Sequence, residues 1–166
     1  MSDTLELTRR LLEICKRHGT LVATAESCTG GMIVSLMTDL PGASSMVDRG
    51  FVTYSNEAKM EMLGVRKETL DEHGALSEQT ALEMAEGALE RSRAGLAISV
   101  TGVAGPDGGS AEKPVGLVWF GLAMYGRRPI AEHRIFEDLG RDYVRRQTVH
   151  HAVPMALAAL EEGRTA

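Results

Sequence analysis

The sequence predicts a three-layer α/β/α fold: helices on both faces of a mixed sheet of about five strands, built as a single α/β domain over residues 1–166. Three observations lead there. Helical and strand-like stretches alternate along the chain. Leu21 to Gly31 reads as a strand running into a tight turn, and an amphipathic run, Met32 to Leu40, follows directly. Leu96 to Val100 is short and almost wholly apolar, as a central strand covered on both faces should be.

Each element has its own signal. Thr4 to His18 carries Leu5, Leu7, Leu11, Leu12, Ile14 and Cys15 on a helical stripe, with Asp3 as N-cap and Gly19 as stop. Leu21 to Ala25 is the first strand, and a helix is expected from about Thr29 to Leu40. Pro41 to Ser45 is a turn, and Met46 to Tyr54 is a strand rich in Val, Phe, Thr and Tyr. Asn56 can cap a short helix over Glu57 to Leu63, which Gly64 closes. A second short piece runs from Arg66 to His73. Ser77 should cap a long helix to about Arg93, where Gly87 marks close packing against the sheet. Val115 to Tyr125 and Ile130 to Glu137 form a hairpin across Gly126 to Pro129. From Arg141 the chain returns to helix, with a kink expected at Pro154 and a frayed tail from Gly163 to Ala166.

Bulk properties narrow the function classes. A formal net charge of −5 argues against a nucleic-acid partner, because neutralising phosphates needs a basic surface. Ser2, Asp3 and Glu6 stand where a signal peptide would need apolar residues, and no apolar run approaches the ~20 residues that span a bilayer. Cys15 and Cys28 lack metal-type spacing. A cytoplasmic protein without disulfides, membrane contact or metal is expected. Met32, Met37, Met46, Met60 and Met62 could line the interface of a homo-oligomer, and core packing explains them equally.

Chemistry should sit at the strand ends. Thr29-Gly30-Gly31 and the stretch Gly102 to Gly109 are glycine-rich turns whose N–H groups could hold a phosphate or an oxyanion. Neither is a Walker loop or a dinucleotide fingerprint, and ordinary connecting turns explain both. Ser27, Cys28, Ser44 and Ser45 are potential nucleophiles. Lys59 could be a base if burial lowers its pKa; a solvated surface lysine is the bland alternative. Tyr54 reads equally as a packing residue. Arg141 and Arg145, at i, i+4 spacing, would suit a phosphate clamp or salt bridges to Asp138 and Asp142.

Three long motifs add a resemblance. They are Thr24-Ala25-Glu26-Ser27-Cys28-Thr29-Gly30-Gly31, Gly50 to Lys59, and Val100 to Gly109 with Lys113-Pro114-Val115-Gly116 after it. With these, the chain resembles the carboxyl-terminal domain of the CinA (competence/damage-inducible) family, the nicotinamide mononucleotide deamidases. The resemblance implies a cofactor-independent Ser/Lys amidohydrolase. It would turn the carboxamide of a small nucleotide substrate into a carboxylate and ammonia, in pyridine nucleotide salvage. By the resemblance, Lys59 is the general base, Ser27 the nucleophile and Ser44 the reserve nucleophile, while Tyr54 and Thr101 relay a proton or bind the amide. Cys28, Thr29, Gly30 and Gly31 would stabilise the oxyanion. Gly102, Gly105, Gly108, Gly109 and Arg145 would hold the ribose phosphate. Two other readings stand beside it: a non-catalytic nucleotide-binding or regulatory module, and a cysteine amidase using Cys28.

Overall fold

The structure, a computed structural model, describes residues 2–162, so the expected tail over 163–166 lies outside the described residues. The elements run α1 (Ser2–His18), β1 (Val22–Glu26), α2 (Met32–Thr38), a 3₁₀ turn (Ala43–Ser45), β2 (Val47–Val52), α3 (Asn56–Leu63), α4 (Lys67–His73), α5 (Glu78–Glu90), β3 (Leu96–Gly102), β4 (Leu117–Met124), β5 (Ile130–Ile135) and α6 (Arg141–Glu162). The sheet has five strands in the order β2-β1-β3-β4-β5. Strands β2, β1 and β3 are parallel, and β4 and β5 add antiparallel. The mixed α/β/α fold expected from the sequence is the one observed.

Side-chain size alternates across the sheet. Val22, Leu96, Ile98, Val118, Phe120 and Leu122 belong to the core shared with α1, α2 and α6. Ala23, Ala25, Ala97 and Ala123 belong to the core shared with α3, α4 and α5. Because strand side chains alternate with period two, the large residues fill one face and the small ones leave the other nearly flat. Helix α5 therefore lies close against the sheet: Ser99 Oγ donates to the Ala81 carbonyl at 2.6 Å. A Cβ on Gly121 would meet that same oxygen at 2.3 Å, so this crossing tolerates only glycine. On the opposite face, burying a side chain such as Phe120 contributes about 1.5–3 kcal/mol.

Several expectations are corrected. Helix α1 already includes Ser2, so Asp3 sits in its first turn, where a carboxylate complements the helix dipole, and is not its N-cap. Helix α2 begins only at Met32, because Gly30 and Gly31 take φ of 57° and 102° and interrupt the helical path. Ser55, not Asn56, caps α3, its Oγ accepting the Ala58 N–H at 3.0 Å. Gly87 permits close approach to α3 rather than to the sheet, since a Cβ there would meet the Leu63 carbonyl oxygen at 1.9 Å. Met37 and Met46 are wholly buried in the core, which removes them from any subunit interface. Among the described residues no helix is long and apolar enough to cross a membrane.

Candidate active site

Parallel strands deliver their carboxyl ends to one edge of the sheet. Here that edge gathers Ser27 after β1, Thr53 and Tyr54 after β2, and Thr101 near the end of β3. Backbone bonds fix them together: the Ser27 N–H donates to the Val100 carbonyl at 3.1 Å, and the Thr53 N–H to the Glu26 carbonyl at 2.8 Å. Helix α3 begins directly after β2, and its first turn sends Lys59 back under the strand ends. The Lys59 Nζ donates to Ser27 Oγ at 3.1 Å, to the Thr53 carbonyl at 3.1 Å and to the Tyr54 carbonyl at 3.2 Å.

Lys59 is only 1% exposed, and no carboxylate among the described residues is in ion-pair contact with it. Desolvation penalises its charged form and holds its pKa below the ordinary lysine value, partly opposed by Cys28. Two of its N–H bonds rest on backbone carbonyls. In the neutral amine the lone pair is then left facing Ser27 Oγ, the geometry of a base beside a nucleophile.

A cavity of about 260 Å³ opens over this pair. Tyr54, Thr101 and Cys28 line it with Ser27 and Lys59, and Gly102, Gly105, Gly108 and Arg141 form its far side. Its volume is near the lower end of small-molecule sites, about 300 Å³. Thr101 Oγ1 donates to the Ala75 carbonyl at 2.9 Å. Arg141 Nη1 donates to the Gly105 carbonyl at 2.8 Å and Nη2 to the Tyr54 hydroxyl at 2.7 Å, closing one wall.

Other candidates fall elsewhere. Ser44 is exposed in the 3₁₀ turn before β2, at the opposite end of the sheet from Ser27. Gly109 faces a second hollow with Pro114 and Val115. Gly30 and Gly31 line a cavity with Met32, Val149 and His150, away from Ser27. Arg145 lies behind the turn that follows Ser27, its Nε donating to the Cys28 carbonyl at 3.0 Å and its Nη2 to the Thr29 carbonyl at 3.2 Å. Cys28 is almost wholly buried, and burial pushes its thiol up to about 12. The thiolate that a cysteine amidase would need is therefore disfavoured near neutral pH.

The expectation that the first N–H groups of α2 are free for an anion is also corrected. Glu26, with no exposed surface, turns its carboxylate into that helix end. Oε1 accepts from Thr29 Oγ1 at 2.6 Å and the Ile33 N–H at 2.9 Å, and Oε2 from Thr24 Oγ1 and the Val34 N–H, both at 3.1 Å. The Gly30 N–H is taken by the Ser27 carbonyl at 3.1 Å. Reading the motif by its glycines and serine missed Glu26; the available signal was a carboxylate ending an otherwise uncharged strand. Among the described residues, no group of three or more His, Cys, Asp or Glu could hold a metal ion.

Comparison with known proteins places the chain in a family. Residues 4–160 match the model of the CinA C-terminal domain. The chain belongs to the CinA C-terminal domain family. It is similar to the nicotinamide-nucleotide amidohydrolase PncC of Escherichia coli K12, 50% identical over 152 residues, covering 92% of each chain. A CinA-like protein of Chloroherpeton thalassium is 52% identical over 135 residues, which are 80% of this chain and 32% of that longer protein. Among solved structures, the competence/damage inducible protein CihA of Agrobacterium tumefaciens superposes with a TM-score of 0.92 at 52% identity, covering 96% of both chains. A CinA superfamily protein of Klebsiella pneumoniae gives 0.90 at 36% identity, over 96% of this chain and 98% of that one. All three motifs of this CinA domain, including Ser27, Lys59 and Thr101, lie within the matched residues.

Proposed function

We propose that this protein hydrolyses the carboxamide of nicotinamide mononucleotide, giving nicotinic acid mononucleotide and ammonia, with Ser27 as nucleophile and Lys59 as general base. The observation that carries the reading is the contact between Lys59 Nζ and Ser27 Oγ, buried at the floor of a cavity. The similarity to the E. coli amidohydrolase supports the substrate class. Free, buried Cys15 and Cys28 fit a reducing cytoplasm, the setting of pyridine nucleotide salvage.

In this reading, neutral Lys59 takes the Ser27 hydroxyl proton as Oγ bonds to the carboxamide carbon. The carbonyl electrons move to oxygen. The Cys28 N–H, adjacent to Ser27 and bonded to no backbone carbonyl among the described residues, receives that oxyanion. One such donor is worth on the order of 3 kcal/mol. As the carbonyl re-forms, the C–N bond breaks and the nitrogen leaves as ammonia with the proton from Lys59. Water then attacks the Ser27 ester, Lys59 takes its proton, and that proton returns to Oγ as the carboxylic acid departs and ionises. Arg141 and the glycines of the 102–108 loop take the ribose phosphate. Tyr54, held by Arg141, orients the carboxamide together with Thr101.

Ammonia release from nicotinamide mononucleotide, measured for wild type, Ser27→Ala, Lys59→Ala and Ser44→Ala, tests this. Losses of about 10²–10⁴-fold are expected for the first two variants, with Ser44→Ala unchanged. Full activity in Lys59→Ala would sink the dyad. A folded wild type that binds the nucleotide and releases nothing would make the site a binding module.

A further inference from the structure

Strand β5 closes one edge of the sheet, and its outer side has no strand beside it. The Phe136 N–H donates to the Gly116 carbonyl at 2.9 Å, which fixes the alternation: Ile130, Glu132 and Arg134 exchange bonds with β4. The N–H and C=O groups of Ala131, His133 and Ile135 therefore point outward. This open edge exposes Ile130 (53%) and Ile135 (62%) at its two ends, with the charged Glu132 and Arg134 between them. Exposed edges of this kind recruit a further strand unless something blocks them.

We propose that the occupant is the β5 strand of a second copy of this chain, paired antiparallel about His133 to give one continuous sheet. A two-fold axis necessarily pairs an edge strand antiparallel with itself. Centred on His133, the outward residues meet one another: His133 opposes the partner's His133, and Ala131 opposes the partner's Ile135. Glu132 then opposes the partner's Arg134, and Arg134 the partner's Glu132, in the positions where cross-strand side chains approach most closely. Charge selects this register. Sliding the partner two residues one way sets Glu132 against the partner's Glu132; sliding it the other way sets Arg134 against the partner's Arg134.

The charges are available for that role. Arg134 has no ion-pair partner in its own chain among the described residues. Glu132 uses only Oε1, on His151 Nε2 at 2.5 Å, leaving Oε2 for the partner. The opposite edge of the sheet differs: on β2, Asp48 binds Arg49 at 2.7 Å and the Arg93 N–H at 2.8 Å, while Arg49 also reaches the Arg91 carbonyl. Those charges are already engaged within the chain.

Sedimentation of the full chain, alone and in mixtures, tests the pairing. The wild type should be a dimer. Glu132→Arg and Arg134→Glu each create two like-charge contacts and should weaken association at least ~100-fold. Mixed one to one, the two variants restore both opposite-charge contacts, so a heterodimer should form from two monomeric proteins. Oxidation of His133→Cys, with Cα atoms about 5.5 Å apart, should crosslink the dimer. Ala131→Cys, about 14 Å from its own copy in this register, should not. A wild type monomeric at every concentration, a dimer that both charge variants keep, a mixture that stays monomeric, or crosslinking through Ala131→Cys each overturn the proposal. The cysteine pair keeps the test valid should a charge variant misfold.

Discussion

Lys59 Nζ donates to Ser27 Oγ at 3.1 Å, joining residues 32 positions apart in the chain. The contact exists because two neighbouring strands end at the same edge of the sheet and a helix starts at once after one of them. Burial without a carboxylate is what makes the lysine suitable as a base, and the pH behaviour follows from it.

The proposed role requires Lys59 to be neutral, so kcat/KM should rise with pH as it loses its proton, with a midpoint below 10.5. Stability should move in the same direction. Between the folded pKa and 10.5 the unfolded chain binds more protons than the folded one, so stability grows as pH rises and is lost as pH falls through the folded pKa. Urea midpoints across the neutral-to-alkaline range should show this slope in wild type, and Lys59→Met should flatten it. An identical slope in both proteins would refute the assignment.

Glu26 is expected to hold the nucleophile turn. In Glu26→Gln, either orientation of the amide sets its NH₂ against a backbone N–H, of Ile33 or of Val34. An unsatisfied buried donor costs about 1–3 kcal/mol. Chemical denaturation should show that loss, and kcat should fall with it because Ser27 is the next residue. A variant as stable as wild type would mean the carboxylate is dispensable.

Two arginines one helical turn apart should give different kinetic signatures. Arg141 lines the cavity, so Arg141→Ala should raise KM. Arg145 does not line the cavity and hydrogen-bonds the carbonyls of Cys28 and Thr29, so Arg145→Ala should lower kcat with little change in KM. Losing charge-assisted bonds of this kind costs about 1.5–3 kcal/mol each, so Arg145→Ala should also lower the melting temperature. Steady-state kinetics on both variants check the split, and the reverse pattern would exchange their roles.

Cys28 should be chemically quiet. Burial pushes its thiol to about 12, so alkylation of the folded protein near neutral pH should be slow relative to the unfolded chain. Cys28→Ala should keep most of the activity. Rapid labelling coupled to loss of activity would point back to a thiol mechanism.

Much of the fold was legible from local pattern. The apolar runs at Leu21 and Leu96, the helical stripe of α1 and the Ser77 cap of α5 state their own structure through period and capping chemistry. Boundaries next to glycines were less legible: α2 loses its first expected turn to the left-handed Gly30 and Gly31. Ser27, Lys59, Tyr54 and Thr101 could be singled out by type and motif, yet their meeting at one cavity depends on strand order. Ser44 belonged to the same set, and the structure places it at the far end of the sheet.

By itself, then, the sequence determined the elements, their order and the residues capable of chemistry, because propensity and periodicity act over a few residues. Tertiary structure alone decided which of those residues share a cavity, that the Glu26 carboxylate fills the α2 terminus, and that β5 is left as an open edge. Those outcomes depend on long-range strand pairing and on burial. Desolvation, which sets the character of Lys59, has no value until the chain has closed around it.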